Sequence, residues 1–170
     1  MPQRPIIKIG NDILSQKSAP IEKINAEIRN LARDMVETVH AAPGIGLSAP
    51  QIGASVRLIV VDLSIGENPD DLFIMINPVI TAEEGTCVRE EGCLSVPEVF
   101  EKVSRPQKIA VRGLDLEGRE KTVEAQDLLA RAFCHEIDHL DGKLFVDRLS
   151  PLKRSLIRKK FKKAAAKPKK

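Results

Sequence analysis

Residues 124–142 read EAQDLLARAFCHEIDHLDG, and this stretch decides the architecture that we predict for the chain. Apolar and histidine residues recur in it at spacings of four, three and four, the repeat of one helical face: Leu128, Ala132, His135 and His139. We therefore predict a core helix over 124–140. Gly142 follows at the position where a glycine commonly ends a helix.

Residues 135–139 form an H-E-x-x-H sequence inside this predicted helix. Residues four apart on a helix share a face, so His135 and His139 can bind one metal ion. Neutral imidazole suits iron and zinc alike. Glu136 projects beside such an ion, where a general base for a metal-bound water is needed. The two histidines could also be an ordinary buried polar pair, so the five residues alone leave a structural role open.

The residue that completes this metal site decides the class of protein. Metzincin-like proteases place a third His three residues after the glycine, but that position holds Phe145. Thermolysin-like proteases use a Glu about 20 residues downstream, where this chain has Lys159. Cys134 faces roughly 100° away from His135 on the helix and is a poor ligand. The remaining candidates are His40, Cys87, Cys93 and Asp147.

Other patterns predict the elements around this helix. Apolar residues at helical spacing predict a first helix over 24–41. A last helix is expected to begin near Pro151, with Ser150 as its cap. Short β-branched runs predict four strands, the last two flanking a hairpin turn region at 115–118: 56–62, 73–77, 107–112 and 120–123.

The order of these elements favours an α+β fold over a regular βαβ alternation. We predict a single domain with small antiparallel or mixed sheets around the H-E-x-x-H helix, plus an N-terminal helix and a C-terminal basic helix. The length of 170 residues and the content of 42% hydrophobic and 30% charged residues suit one globular domain.

Composition excludes several classes of function. The chain has no Trp, no Tyr and five Phe, so it lacks aromatic platforms on which nucleic acid bases could stack. No apolar run approaches the ~20 residues that span a bilayer. The N-terminus lacks the apolar core of a secretory signal, and the three cysteines lack C-x-x-C spacing. We expect a cytoplasmic protein with no membrane partner and no disulfide framework.

The charge is distributed unevenly along the chain. Residues 151–170 contain ten Lys or Arg and no acid, whereas residues 1–150 contain 17 basic and 24 acidic residues. A basic arm of this kind meets a polyanion or simply keeps the protein solvated. The arm also has an apolar stripe through which a helix could dock on the domain: Leu152, Leu156, Ile157, Phe161 and Ala164 or Ala165.

Three segments together resemble the signature motifs of peptide deformylases. They are GIGLSAPQ at 44–51, EGCLS at 91–95 and HEIDHLDG at 135–142, in the order that the family has them. The likeness extends from the first helix to about residue 147. Ser48 stands where the first motif usually has Ala, and Cys134 stands where the third motif usually has Gln.

The resemblance implies a hydrolase that removes the N-formyl group from the formyl-methionine of nascent polypeptides and releases formate. Glu136 would take a proton from a metal-bound water and deliver it to the leaving amine. The side chain of Gln51 and the backbone N–H of Leu94 would stabilise the oxyanion. One divalent ion, often Fe(II) in the family although Zn(II) or another ion fits, would have three ligands: Cys93, His135 and His139.

The resemblance also implies where the substrate binds. Backbone groups of Ile45 and Gly46 would hold the peptide as at a strand edge. Ile45, Leu128 and Ala132 are expected to line a pocket for the methionine side chain. Residues 1–150 would form the catalytic domain, and the basic segment 151–170 would attach it to ribosomal RNA. We expect a monomer.

Two other classes of protein share part of this pattern. A metallo-endopeptidase also uses H-E-x-x-H, but the missing downstream Glu or His argues against it. A non-enzymatic RNA-binding adaptor would use the basic segment and a structural metal. Such an adaptor predicts a closed site with four protein ligands and has no need of Gln51 or Glu136.

Overall fold

The computed structural model describes residues 3–166, and their side chains through residue 163. Three helices are present: α1 (Ala26–Ala41), α2 (Asp127–Leu140) and α3 (Pro151–Ala166). Seven strands lie between α1 and α2: β1 (Gly46–Ser48), β2 (Leu58–Asp62), β3 (Leu72–Glu84), β4 (Cys87–Cys93), β5 (Val96–Arg105), β6 (Lys108–Leu114) and β7 (Glu120–Gln126). The predicted α+β class is confirmed.

The strands form one large sheet and one hairpin. The five-stranded sheet has the order β1-β2-β3-β6-β7, and every neighbouring pair is antiparallel. β4 and β5 pair separately as a two-stranded antiparallel hairpin. β2, an interior strand of this sheet, is buried along its whole length. Its residues alternate between the two faces, so Leu58 and Val60 belong to the core beneath α1 while Ile59 and Val61 belong to the core around α2.

The predicted start of the H-E-x-x-H helix at Glu124 is wrong by three residues. β7 continues to Gln126, which pairs with Lys108 of β6, and the helix begins at Asp127. Cross-strand pairing therefore overrides the helical pattern there. Its predicted end is confirmed, because Gly142 adopts φ 77° just beyond the last turn.

The first helix and the four predicted strands are confirmed with shifted ends, but β1, β4 and β5 were not predicted. β4 contains the charged run at 89–91, which has the composition of a loop. It is a strand because β5 supplies its hydrogen-bonding partner, in a register that places Glu91 opposite Glu101. A pattern within one segment does not reveal such a partner.

The basic helix α3 docks on the domain by fewer residues than its stripe predicted. Ser150 caps it as expected, accepting a hydrogen bond from the Lys153 N–H at 3.3 Å. Ile157 and Phe161 pack against a further apolar cluster that contains Val96, Val103 and Phe145. Leu152 and Leu156 are 69% and 58% exposed, so their predicted docking is wrong. Residues 167–170 of the predicted arm, and the side chains of Ala164 and Ala165, lie outside the described residues.

None of the helices between residues 3 and 166 is a candidate for crossing a membrane. No helix in that range is both long enough and apolar enough to cross a bilayer.

Candidate metal centre

Helix α2 carries the two histidines into the core. It is buried on nearly all sides from Ala130 to Leu140, so its polar residues must find partners inside the protein. The Nε2 atoms of His135 and His139 lie 3.3 Å apart. Both imidazoles therefore point at the same small volume, as their spacing of four residues predicted.

Cys93 completes the cluster from the end of β4. Its Sγ lies 3.3 Å from Nε2 of His139, and the three donor atoms all lie within 4.8 Å of one another. Two of the other candidates are engaged elsewhere: His40 contacts Asp62 at 2.7 Å, and Asp147 accepts from Arg158 at 2.6 Å. In the described part of the chain, this is the one group of three such donors close enough to share an ion.

The donor set fits a divalent transition metal. Two nitrogen ligands of a tetrahedral zinc site lie about 3.3 Å apart, which is the separation of the two imidazole nitrogens here. Burial alone would raise the pKa of the Cys93 thiol, but the imidazoles of His139 and His135 outweigh burial and hold that pKa well below its usual value. This shift favours the thiolate, which is the form that binds metals.

Glu91 orients the first histidine, a role that the sequence did not reveal. Its carboxylate accepts a hydrogen bond from Nδ1 of His135 at 2.6 Å, which leaves Nε2 facing the other donors. Arg105 donates to the same carboxylate through two nitrogens, and Arg131 donates at 2.8 Å. Burial would raise the pKa of Glu91, but the hydrogen bonds and charges of His135 and Arg105 outweigh burial and hold that pKa well below its usual value. Its place in the Glu-Gly-Cys motif was the available signal.

Asp138 forms ion pairs with two arginines and is not part of the donor cluster. It accepts from Arg105 at 2.6 Å and from Arg148 at 2.6 and 2.8 Å. Burial would raise its pKa, but the two arginines lower it. Asp138 therefore fixes α2 between β5 and the segment that leads to α3.

Glu136 stands beside the donor cluster with a free oxygen. The residue is 4% exposed, and its Oε2 has no hydrogen-bond partner within the described protein. Burial raises the pKa of its carboxyl to about 7. A methyl group on Gly46 would lie 3.0 Å from Cγ of Glu136 and 3.1 Å from its Oε1. The first motif therefore needs glycine at this position to admit the carboxylate of the third motif.

Gln51 approaches the cluster from the first motif. It is the third residue of a short 3₁₀ helix, Ala49–Ile52, and its Oε1 accepts from the Ser48 N–H at 2.9 Å. Its Nε2 lies 3.1 Å from Oγ of Ser95 and 3.7 Å from Sγ of Cys93. The Ser-x-x-Gln spacing is that of a capping box, a signal by which its orientation could have been predicted.

A cavity of about 570 Å³ opens onto these groups. Ile45, Gly46, Leu94 and Ala132 line it, together with Cys93, His135, Glu136 and Gln51. Leu128 also lines the cavity and is 52% exposed, so it lies at the rim. Leu94 packs over Gly44, where a methyl group would lie 2.9 Å from Cδ1 of Leu94.

Residues 7–9, near the N-terminus, form hydrogen bonds with both the first and the second motif, which the sequence did not predict. The Ile7 N–H donates to the Gln51 carbonyl at 2.7 Å, and the Ile9 N–H donates to the Ser95 carbonyl at 2.8 Å. Between them, Nζ of Lys8 donates to the Leu94 carbonyl at 2.9 Å. Residues from three distant parts of the sequence thus meet at one cavity.

Known proteins match this chain over nearly its whole length. The polypeptide deformylase family model matches residues 3–155. A peptide deformylase of Acidobacterium capsulatum is 49% identical over 94% of each chain, and one of Thermodesulfovibrio yellowstonii is 50% identical over 92% of this chain and 95% of its own length.

Solved structures agree in fold as well as in sequence. The crystal structure of a peptide deformylase from Legionella pneumophila has a TM-score of 0.89 and 40% identity, covering 98% of this chain and 100% of its own. That of the Ehrlichia chaffeensis enzyme in complex with actinonin has a TM-score of 0.89 and 39% identity over the same shares. By sequence, fold and the arrangement of its motifs, the chain belongs to the polypeptide deformylase family of hydrolases.

Proposed function

We propose that this chain hydrolyses the formyl amide of N-formylmethionyl polypeptides and releases formate. One observation carries the proposal. A Cys/His/His donor set and the buried carboxylate of Glu136, one oxygen of which has no hydrogen-bond partner in the described protein, line the same open cavity. A divalent ion held by Cys93, His135 and His139, with Fe(II) or Zn(II) the best candidates, would polarise the formyl carbonyl and lower the pKa of a water molecule.

Glu136 is the general base and acid in this proposal. Its Oε2 has no competing hydrogen bond, so it is available to a water molecule in the cavity. Burial raises the pKa of its carboxyl, which makes the carboxylate a stronger base than an exposed one. The proton that Glu136 takes from water then passes to the nitrogen of the leaving amine.

Gln51 and Leu94 stabilise the negative charge that develops on the formyl oxygen. The amide of Gln51 is a neutral donor that adds a dipole without competing for the ion. Leu94 lies directly after Cys93 in the turn between β4 and β5, so its backbone N–H is close to the same volume. Two donors from different motifs would thus face one oxyanion.

In this proposal the cavity holds the N-terminal residue of the polypeptide substrate. Ile45 and Gly46 lie at the start of β1, the edge strand of the sheet, and a peptide can add as a further strand on the side of β1 away from β2. Ala132 and Ile45 form the inner wall for a methionine side chain, with Leu128 at the rim. Replacing Ala132 with Leu should raise KM for formyl-methionyl peptides, and an unchanged KM would contradict this assignment.

The central experiment compares formate release by anaerobically purified, Fe(II)-loaded protein with release by its Glu136→Gln variant. Glu120→Gln, an exposed residue on β7, is the matched control. We expect formate from formyl-methionyl peptide with the wild-type and control proteins and a large loss with Glu136→Gln. Cleavage inside an unformylated peptide would instead indicate an endopeptidase. A metal-loaded protein inactive on both peptides would favour the RNA-binding adaptor.

The division of the chain is also part of the proposal. Residues 1–150 form the catalytic domain, and residues 151–170 form a basic arm that holds the monomer near ribosomal RNA in the cytoplasm. Lys159, Lys160 and Lys162 are exposed on α3, while Arg158 is tied to Asp147 at 2.6 Å. Phosphate contacts by such lysines weaken as salt rises.

The test of the arm removes the charge of three exposed lysines and keeps the residues by which α3 docks on the domain. A variant with Ala at positions 159, 160 and 162 should lose co-sedimentation with ribosomes in low salt. Ala at Lys17 and Lys23, which are exposed elsewhere, should not have this effect. Equal co-sedimentation of both variants would refute attachment through the arm.

A further inference from the structure

Ser48 is the buried departure from the family's usual first motif, and its hydroxyl has one specific partner. The residue is 0% exposed. Its Oγ–H donates to Oε1 of Gln51 at 3.0 Å, and its own backbone N–H donates to the same oxygen at 2.9 Å. The carbonyl oxygen of the Gln51 amide therefore accepts two hydrogen bonds, where an alanine at position 48 would supply one.

The other end of the same amide faces the donor cluster. Nε2 of Gln51 lies 3.1 Å from Oγ of Ser95 and 3.7 Å from Sγ of Cys93. The hydrogen bond from the backbone N–H of Ser48 is enough to place the oxygen of the Gln51 amide toward Ser48 and its nitrogen toward the donor cluster. The hydroxyl must therefore act differently, by restraining the amide further and by drawing electron density toward its oxygen.

We propose that Ser48 is a positioning residue that strengthens Gln51 as an oxyanion donor. The inference rests on the deformylase function proposed above. An amide whose oxygen accepts more hydrogen bonds becomes a better N–H donor, because bonds in a chain polarise one another. A donor already held in place also needs little reorganisation as charge develops.

The effect should appear in the transition state and not in substrate binding, since the oxyanion is absent from the bound substrate. For Ser48→Ala we expect kcat to fall about three- to tenfold, equivalent to about 0.7–1.4 kcal/mol, with KM unchanged. Metal affinity should stay the same, because Ser48 contacts none of the three donor residues in this arrangement.

The kinetic experiment uses Fe(II)-loaded protein and formyl-methionyl peptide. Ser48→Cys separates packing from hydrogen bonding, because a thiol nearly fills the same space but donates weakly. We expect Ser48→Cys to resemble Ser48→Ala. In a Gln51→Ala background, Ser48→Ala should have no further effect on kcat. The proposal would be overturned if Ser48→Cys had full activity or if Ser48→Ala had an unchanged kcat. It would also be overturned if Ser48→Ala lowered kcat equally in the Gln51→Ala background.

A second readout does not depend on turnover. In ¹⁵N NMR spectra of the Zn(II)-loaded protein, the side-chain amide signals of Gln51 are identified by their loss in Gln51→Ala. Ser48→Ala should shift these signals upfield and speed their exchange with water, and unchanged signals would contradict the hydrogen-bond argument. If the wild-type protein releases no formate, the proposed function fails, whereas the NMR comparison still decides whether Ser48 polarises Gln51.

Discussion

The substitution Glu91→Gln tests the network that holds the first histidine. The carboxylate accepts from His135 at 2.6 Å, from Arg131 at 2.8 Å, and from Arg105 at 2.6 and 3.1 Å. Glutamine has nearly the same shape but carries no charge. Whichever way its amide turns, its NH₂ group faces a donor from arginine or histidine.

The contacts allow the size of the effect to be worked out. Removing one partner of a buried ion pair costs about 3–5 kcal/mol. Arg105 keeps a second carboxylate, Asp138 at 2.6 Å, so the lower end of that range applies. We expect the free energy of unfolding of the metal-free protein to fall by about 3 kcal/mol. Losing the partner of a ligating histidine should also lower metal affinity about 10- to 100-fold.

The assay combines urea unfolding of the metal-free protein with chelator competition for Zn(II). Glu90→Gln is the matched control, because Glu90 is the exposed neighbour on the same strand. Its variant should match the wild-type protein in both measurements. If Glu91→Gln behaved like Glu90→Gln, the inference that this carboxylate holds His135 and neutralises two arginines would be refuted.

Three further changes test other parts of the structure. Gly46→Ala should lower kcat about 10- to 100-fold with unchanged metal content, because its Cβ would lie 3.0 Å from Glu136 and displace the carboxylate; wild-type kcat would contradict this packing. Cys93→Ser should lower Zn(II) affinity in chelator competition, whereas Cys87→Ser, which removes a thiol outside the donor cluster, should not. Asp62→Asn should destabilise the protein at pH 7 by about 1–3 kcal/mol in urea unfolding. Burial would raise the pKa of Asp62, but its hydrogen bonds lower it, so its stabilisation is present above the unfolded-state value near ~3.9 and is lost as pH falls through the lower folded value. The difference from the wild-type protein should therefore shrink below about pH 4, and a constant difference would contradict the assignment.

The sequence alone determined the elements whose cause is local. The spacing of His135 and His139 on one helix face follows from 3.6 residues per turn, so the pair was predictable. The run of apolar and β-branched residues in β2 and the stop at Gly142 are likewise properties of a few neighbouring residues. The three motifs in order were specific enough to indicate the family, because each contains residues that metal binding or hydrolysis requires.

Only the tertiary structure decided which distant residues meet. From the residues alone, Cys93 was one of four possible third ligands, and its selection depends on the β4–β5 hairpin reaching α2. Glu91 and Arg105 gained their roles in the same way, because both depend on contacts with α2: Glu91 with His135, and Arg105 with Asp138. Buried polar groups must find partners wherever the folded chain supplies them, and those partners lie far away in sequence. Short motifs therefore determine which residues can bind the metal, whereas the contacts that orient those residues form only when strands and helices pack.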